Sequence, residues 1–156
     1  KTEVPGRRVV IIGAGGASRA IGYMLKKKGA IVIVSNRSHD HGMALCRDLD
    51  CEFIQPDKLY DVNADIIINT TPVGMSPDID KSPVPENVFK KGMAAMDVIY
   101  NPLETRFLAA ARARGCEVVN GLSMFVYQGA EQFRLWTGLE APVDVMTDAV
   151  IRELKT

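Results

Sequence analysis

Gly13, Gly15 and Gly16 stand directly behind four consecutive β-branched residues, Val9-Val10-Ile11-Ile12, and directly ahead of residues 17–28, whose composition is helical. Glycines at a strand-to-helix junction serve one kind of chemistry well. They let the backbone turn sharply and come close to a bound group, while unpaired N–H groups and the positive end of the helix dipole favour an anion such as a phosphate. Gly13 and Gly15 fit the first two positions of a G-x-G-x-x-G dinucleotide pattern, and Ser18, small enough for close helix–strand packing, takes the third. A ligand-free tight turn is the competing reading. It is disfavoured because strand, turn and helix follow in the required order.

The second chemical signal lies at the end of the next apolar run, Ile31-Val32-Ile33-Val34, which follows the helix-ending Lys26-Lys27-Lys28-Gly29. NAD sites usually place an acid here, about 20 residues past the glycine turn, to accept hydrogen bonds from the ribose hydroxyls. This chain has Ser35-Asn36-Arg37-Ser38 instead. A planar cation between small polar residues suits a ribose 2′-phosphate. One charge-assisted hydrogen bond is worth about 1.5–3 kcal/mol, roughly a tenfold to hundredfold preference for the phosphorylated ribose, so the residues point to NADP(H).

These groups need a scaffold that brings strand ends together. Further short elements are expected: a helix over 41–49, a strand over 51–54, and a helical turn over 57–62 with Leu59, Tyr60 and Val62 facing inward. A buried strand over 64–69 ends in the polar turn Asn69-Thr70-Thr71-Pro72-Val73-Gly74-Met75. Residues 76–91, with Pro77, Pro83 and Pro85, read as a long surface connection. A fifth strand spans 93–100, Thr105 caps a helix running to Gly115, and Val118-Val119 forms a sixth strand. Two helices close the chain. In the first, 122–136, Phe125, Gly129, Phe133 and Trp136 share one face, while Met124 and Gln128 share another. In the second, 143–154, Val143, Met146, Val150, Ile151 and Leu154 form a stripe opposite Asp144, Asp148, Arg152 and Lys155. Ordinary packing accounts for both stripes, and docking on another domain is the alternative for the last. The expected fold is α/β, a Rossmann-like doubly wound parallel sheet of about six strands with helices on both faces, residues 1–156 forming one domain.

Nineteen Lys and Arg balance nineteen Asp and Glu, so no global field recruits nucleic acid or anionic membrane. The apolar runs are too short to span a bilayer, and a cytoplasmic protein is expected. Cys46, Cys51 and Cys116 lack C-x-x-C spacing and read as buried, inert thiols; His39 and His41 belong to no ligand cluster, so no metal is expected. Residues 1–8 read as a linker, and the chain as a piece of something longer.

Five separated blocks together resemble the NADP-binding C-terminal domain of the shikimate dehydrogenase (shikimate/quinate dehydrogenase) family. They are Gly13-Ala14-Gly15-Gly16-Ala17-Ser18-Arg19-Ala20, Asn36-Arg37-Ser38, residues 69–75, Asp97-Val98-Ile99-Tyr100-Asn101-Pro102-Leu103-Glu104-Thr105, and Asn120-Gly121 through Met124 with Gln128-Gly129-Ala130 and Leu135-Trp136-Thr137-Gly138. The resemblance implies that Gly13, Ala14, Gly15, Gly16 and Ala17 cradle the pyrophosphate and that Asn36, Arg37 and Ser38 hold the 2′-phosphate. It further implies that Thr70, Thr71, Pro72, Val73 and Val98 line the cofactor groove and that Gly121 and Met124 lie against the nicotinamide. Tyr100 and Gln128 would reach toward the substrate. His41 departs from the family, which often has Lys or Arg there, and a histidine is a weaker, pH-dependent phosphate partner.

By resemblance the activity is NADPH-dependent reduction of 3-dehydroshikimate to shikimate, a step of aromatic amino-acid biosynthesis, and the catalytic lysine and aspartate belong to a preceding substrate-binding domain. No catalytic acid or base is therefore assigned here, and Lys58, Lys81, Lys90 and Lys91 read as solvated. A homodimer is left open. The alternatives are a quinate or shikimate/quinate dehydrogenase and a non-catalytic NADPH-binding regulatory module. A glutamyl-tRNA reductase shares the glycine turn and the Asn-Arg-Ser/Thr segment, but it leaves Tyr100-Asn101-Pro102 and the 121–128 block unexplained.

Overall fold

The β-branched runs fold into a six-stranded, all-parallel sheet whose strand order is 3-2-1-4-5-6. The computed structural model describes residues 3–154; Lys1, Thr2, Lys155 and Thr156, the outermost parts of the expected linker and final helix, lie outside the described residues. In chain order the elements are β1 (Arg8–Ile12), α1 (Gly16–Lys27), β2 (Ile31–Ser35), α2 (His39–Leu49), β3 (Glu52–Ile54), β4 (Ile66–Asn69), β5 (Ala94–Asp97), α3 (Arg106–Ala113), β6 (Glu117–Val119), α4 (Leu122–Thr137) and α5 (Val143–Glu153).

Alternation along the central strands divides the apolar residues between two cores. Val9, Ile11, Val32, Val34, Ile66 and Ile68 face α1 and α2, joined by Leu45, Leu49 and the half-buried Ile21 and Leu25. Val10, Ile12, Ile33, Ile67 and Ala95 face the opposite side and pack on Phe107, Leu108 and Ala111 of α3. The central strands β1, β2 and β4 are thus apolar on both faces, the condition under which parallel sheets are stable.

Three expectations need correction. Residues 76–91 are not merely a surface connection: Val84, Val88 and Phe89 are buried, and Phe89 meets Phe107 edge-on with ring centroids 5.2 Å apart. The prolines prevent a regular crossover helix, so a short 3₁₀ turn at Glu86–Val88 delivers the apolar side chains in its place. Residues Pro56–Asp61 also form a 3₁₀ turn, and three residues per turn put Leu59 and Val62 on one buried face while leaving Tyr60 exposed. On α4 the buried positions are Val126 and Ala130, and Trp136 is 81% exposed. On α5 the expected stripe Val143, Met146, Val150, Ile151 and Leu154 is the half-buried side and Asp144, Asp148 and Arg152 opposite it are exposed, as expected; Met146 lies against Gly129 of α4, and no described residue of the helix is fully buried.

The fifth strand ends at Asp97 rather than Tyr100 because Asp97 captures the backbone beyond it. This fully buried carboxylate accepts the Thr105 hydroxyl at 2.7 Å, the Ile99 N–H at 3.0 Å and the Asn69 side-chain amide at 3.1 Å. Thr105 caps α3 as expected, its hydroxyl oxygen accepting from Leu108 N–H at 3.3 Å. Thr105→Val removes both bonds and should lower the unfolding free energy by about 2 kcal/mol in urea titrations at neutral pH.

Burial pushes the Asp97 carboxyl above its ordinary value, more than its three donors pull it down. The native state therefore holds this proton more tightly than the unfolded chain. The group's contribution to stability is full below the unfolded pKa of about 4 and declines as pH rises through the raised native value. Asp97→Asn removes that slope. Unfolding measured between about pH 4 and pH 8 should show the variant recovering relative to the parent as pH rises.

Candidate functional site

Hydrogen-bond register lines up the carboxyl ends of the four central strands. Ile12 lies opposite Ser35 on one side and Asn69 on the other, and Asn69 lies opposite Asp97. The strand order reverses at β1, between β2 and β4, so the glycine turn leaves the sheet at its topological switch point. That is where ligands bind in open α/β sheets.

Gly13 has a φ of +114° and donates its N–H to Ser35 carbonyl at 2.8 Å; a Cβ there would stand 2.5 Å from Thr70 Oγ1. Only glycine satisfies both conditions. Thr70 and Ser18 then tie the turn down through a hydroxyl chain whose direction follows from proton count. Thr70 spends its single hydroxyl proton on Ile12 carbonyl at 2.6 Å, so the 2.7 Å bond between the two hydroxyls is donated by Ser18, which itself accepts Gly15 N–H at 3.1 Å. Two of the turn's N–H groups are therefore internally bonded. Those of Gly16 and Ala17, the first residues of α1, have no protein acceptor among the described residues. A Cβ on Gly15 or Gly16 would meet nothing within 4 Å.

Three adjoining cavities run across this edge. One of about 520 Å³ lies among Gly13, Ser35, Asn36, Arg37, Thr71, Pro72 and Val73, floored by Pro56, Leu59, Ser82 and Pro83. A second of about 290 Å³ lies among Gly13, Ala14, Gly15, Asn36, His41, Thr70, Thr71 and Pro72. The third, about 450 Å³, is bounded by residues 70–72 with Val98, Ile99, Tyr100 and Asn101. Thr71 and Pro72 belong to all three, so the cavities form one groove. No carboxylate lines it, and Arg37, exposed beside the N-terminus of α2, has no ion-pair partner among the described residues. The groove suits an elongated, anionic, partly apolar ligand.

The groove thus gathers Gly13, Ala14, Gly15, Asn36, Arg37, Thr70, Thr71, Pro72, Val73, Val98 and Tyr100. Gly16 and Ala17 open α1 beside it, and Ser38 is the N-cap residue of α2. Gly121 donates its N–H to Ile99 carbonyl at 3.0 Å, and a Cβ on it would collide with Val98 carbonyl, so the turn into α4 closes directly onto the end of β5. Met124 is half-buried and Gln128 exposed on α4, and neither lines the three cavities. Tyr100 stacks on Phe125 with ring centroids 4.0 Å apart.

Several groups had no assigned role before the fold was known. Asn69 is fully buried, accepts both Thr71 N–H at 3.0 Å and Thr71 hydroxyl at 2.7 Å, and donates to Asp97. Ser35 Oγ is the one buried side-chain polar atom without a hydrogen-bond partner among the described residues. Polar residues ending apolar strands were the available signal for both.

Other reactive groups are occupied or masked. Burial pushes all three thiols up, Cys51 to about 12 with Cys46 beside it, so none is a ready nucleophile. Lys90 donates to Val62 carbonyl at 3.1 Å and Lys81 pairs with Asp78 at 3.0 Å; neither these nor the exposed Lys58 and Lys91 line the groove. Among the described residues no group of three or more His, Cys, Asp or Glu could hold a metal ion, and no helix is long and apolar enough to cross a membrane.

Known proteins share this arrangement. A family model for shikimate / quinate 5-dehydrogenase matches residues 1–99, and one for the shikimate 5′-dehydrogenase C-terminal domain matches residues 121–151. The chain is 39% identical to the shikimate dehydrogenase (NADP(+)) of Methanosarcina mazei, over 98% of this chain and 58% of that protein. The solved shikimate 5-dehydrogenase of Thermus thermophilus in complex with NADP(H) and shikimate superposes with a TM-score of 0.85 at 38% identity, over 96% of this chain and 56% of that one. Quinate dehydrogenase from Corynebacterium glutamicum in complex with NAD gives 0.86 at 32% identity, over 94% and 55% of the two chains. The chain spans little more than half the length of these relatives. The six-stranded fold, the groove at its switch point and these matches together establish that the chain belongs to the shikimate/quinate 5-dehydrogenase family.

Proposed function

We propose that this chain is the NADP(H)-binding part of an enzyme that reversibly reduces 3-dehydroshikimate to shikimate. The observation that carries the reading is the meeting of Asn36 and Arg37 with the glycine turn and residues 70–73 in one carboxylate-free groove. Gly13, Ala14, Gly15, Gly16 and Ala17, at the N-terminus of α1, would hold the pyrophosphate. Asn36, Arg37 and Ser38, at the N-terminus of α2, would hold the 2′-phosphate. The α2 dipole adds to the Arg37 charge there, and the Asn36 amide, donating to Ser38 carbonyl at 2.8 Å, fixes the loop between them.

The residues present fit this cofactor. Ser35 Oγ, buried and unpartnered in the wall beside Arg37, is a polar group that a ribose or adenine can satisfy, and the space above Gly15 and Gly16 admits a close backbone approach. Thr70, Thr71, Pro72, Val73 and Val98 would line the groove toward the nicotinamide end, where Gly121 and Met124 close it and Tyr100 and Gln128 lie toward the substrate. When bound, the nicotinamide supplies the hydride; the chain's part is to bind, orient and shield. Its lysines do not line the groove, so the lysine and aspartate that move the hydroxyl proton are assigned to a substrate-binding domain. The reading carries with it a cytoplasmic location.

A second reading, quinate oxidation with NAD, is suggested by the Corynebacterium relative. Arg37 and the lack of a carboxylate at the tip of β2 favour the phosphorylated cofactor. Turnover on quinate with NAD by the full-length enzyme, exceeding that on shikimate with NADP, would favour the second.

Calorimetric titration at one moderate salt concentration tests the cofactor assignment. NADPH should bind at least about tenfold more tightly than NADH, and Arg37→Ala should cut that preference by about tenfold or more while leaving NADH affinity unchanged. Equal affinities in the parent chain, or no binding of either nucleotide, contradict the assignment. Gly15→Val separates ligand from fold. Its Cβ meets no protein atom at a φ of −91°, so unfolding should change by no more than about 1 kcal/mol. NADPH affinity should fall more than about tenfold.

A further inference from the structure

Two of the chain's three free thiols stand beside each other where α2 ends, away from the groove. Asp50 follows α2 with a φ of +49° and is the one non-glycine residue in the left-handed region among the described residues. The turn closes with Cys51 N–H donated to Cys46 carbonyl at 3.0 Å, the long bond of a Schellman motif. That closure lays the side chain of the residue after the turn against the one five positions earlier. In this chain both are cysteines.

Proton count orients the pair. Cys46 spends its single S–H on Glu52 carbonyl at 3.3 Å, so the hydrogen bond between the two thiols is donated by Cys51. Access differs between them. Cys46 is 4% exposed, whereas Cys51 is half-buried and lines a cavity of about 310 Å³ with Lys26, Ala30, Asp50 and Glu52. Lys26 of α1 donates to Asp50 carbonyl and lies 3.6 Å from its carboxylate, which puts a cation in the wall that Cys51 shares. Cys116 belongs to the opposite core, its S–H donated to Lys90 carbonyl at 3.4 Å.

We propose that Cys46 and Cys51 form a reversible dithiol–disulfide site that exchanges with low-molecular-weight disulfides such as oxidised glutathione. Cys51, reached from the cavity, gives its proton to solvent, and its sulfur attacks one sulfur of the small disulfide, breaking that S–S bond and releasing a small thiolate. Cys46, deprotonated in turn, attacks the Cys51 sulfur of the mixed disulfide and expels the second small thiolate. Each thiolate takes up a proton. Two protein thiols and one small disulfide thus become one protein disulfide and two small thiols, the protein oxidised and the small molecule reduced. Burial keeps both thiols protonated at neutral pH, so the exchange quickens as pH rises. Of the charges around them, Lys26 favours the Cys51 thiolate, Asp50 opposes it, and Glu52 opposes a thiolate at Cys46.

The folded, reduced chain incubated with oxidised glutathione at about pH 9, quenched with a thiol-alkylating reagent and read by mass spectrometry, tests this. The parent should fall from three alkylated cysteines to one, Cys116, with no glutathione retained, and dithiothreitol should restore all three. Cys46→Ser should instead accumulate a glutathione adduct on Cys51, because no neighbour remains to expel it. Cys51→Ser should react at least about tenfold more slowly than the parent, its remaining thiol of the pair being shielded. A folded parent that keeps all three thiols, or that holds a lasting glutathione adduct on Cys51 beside a free Cys46, overturns the proposal. Modification of Cys116 at the same rate as the pair also overturns it, since the thiols would then be reached through unfolding.

Discussion

The 3.1 Å bond between the Asn69 amide and the Asp97 carboxylate holds together everything above the sheet. Both side chains are wholly buried, where an unpaired amide or carboxylate costs several kcal/mol, so each demands a complete set of partners. They find them in opposite directions. Asn69 turns its oxygen to Thr71 and so bends the chain after β4 into one wall of the groove. Asp97 turns its oxygens to Ile99 and Thr105, shaping the chain after β5 and anchoring the cap of α3. Register decides that the two meet, because Asn69 and Asp97 are paired neighbours on adjacent parallel strands.

The same edge carries a second polar chain, from Gly15 through Ser18 and Thr70 to Ile12 carbonyl. Together the two networks tie down the loops after β1, β4 and β5 without any ligand. A groove built in this way is largely pre-organised, and binding energy is not spent on ordering it. The positive φ at Gly13 and the close approach of Gly121 to Val98 belong to the same economy of space. They bring the turns after β1 and β6 within reach of the ends of β4 and β5.

The sequence made the sheet legible because runs such as Val9-Val10-Ile11-Ile12 and Ile31-Val32-Ile33-Val34 have no amphipathic alternative. The glycine turn and the Asn36-Arg37 segment stood out by residue type and position alone, and the structure brings them to one groove. What lay beyond reading was set by tertiary contact. Residues 76–91 look polar and proline-broken, yet Val84, Val88 and Phe89 reach the core, the last two from a 3₁₀ turn and its cap, too short to leave a period. Trp136 fits a helical stripe but is exposed, since period does not say what a face packs against. The tie of Ser18 to Thr70, across 52 positions of sequence, depends on the strand order itself.

Amide NMR of the chain titrated with NADP⁺ tests most directly the central claim, that the carboxyl edge of the sheet is one pre-formed dinucleotide groove. The account predicts the largest shifts at residues 13–17, 36–41 and 70–73, with the buried core amides of β1 and β4 below that edge almost unmoved. Shifts centred on α4 and α5, or spread through both cores, would contradict it.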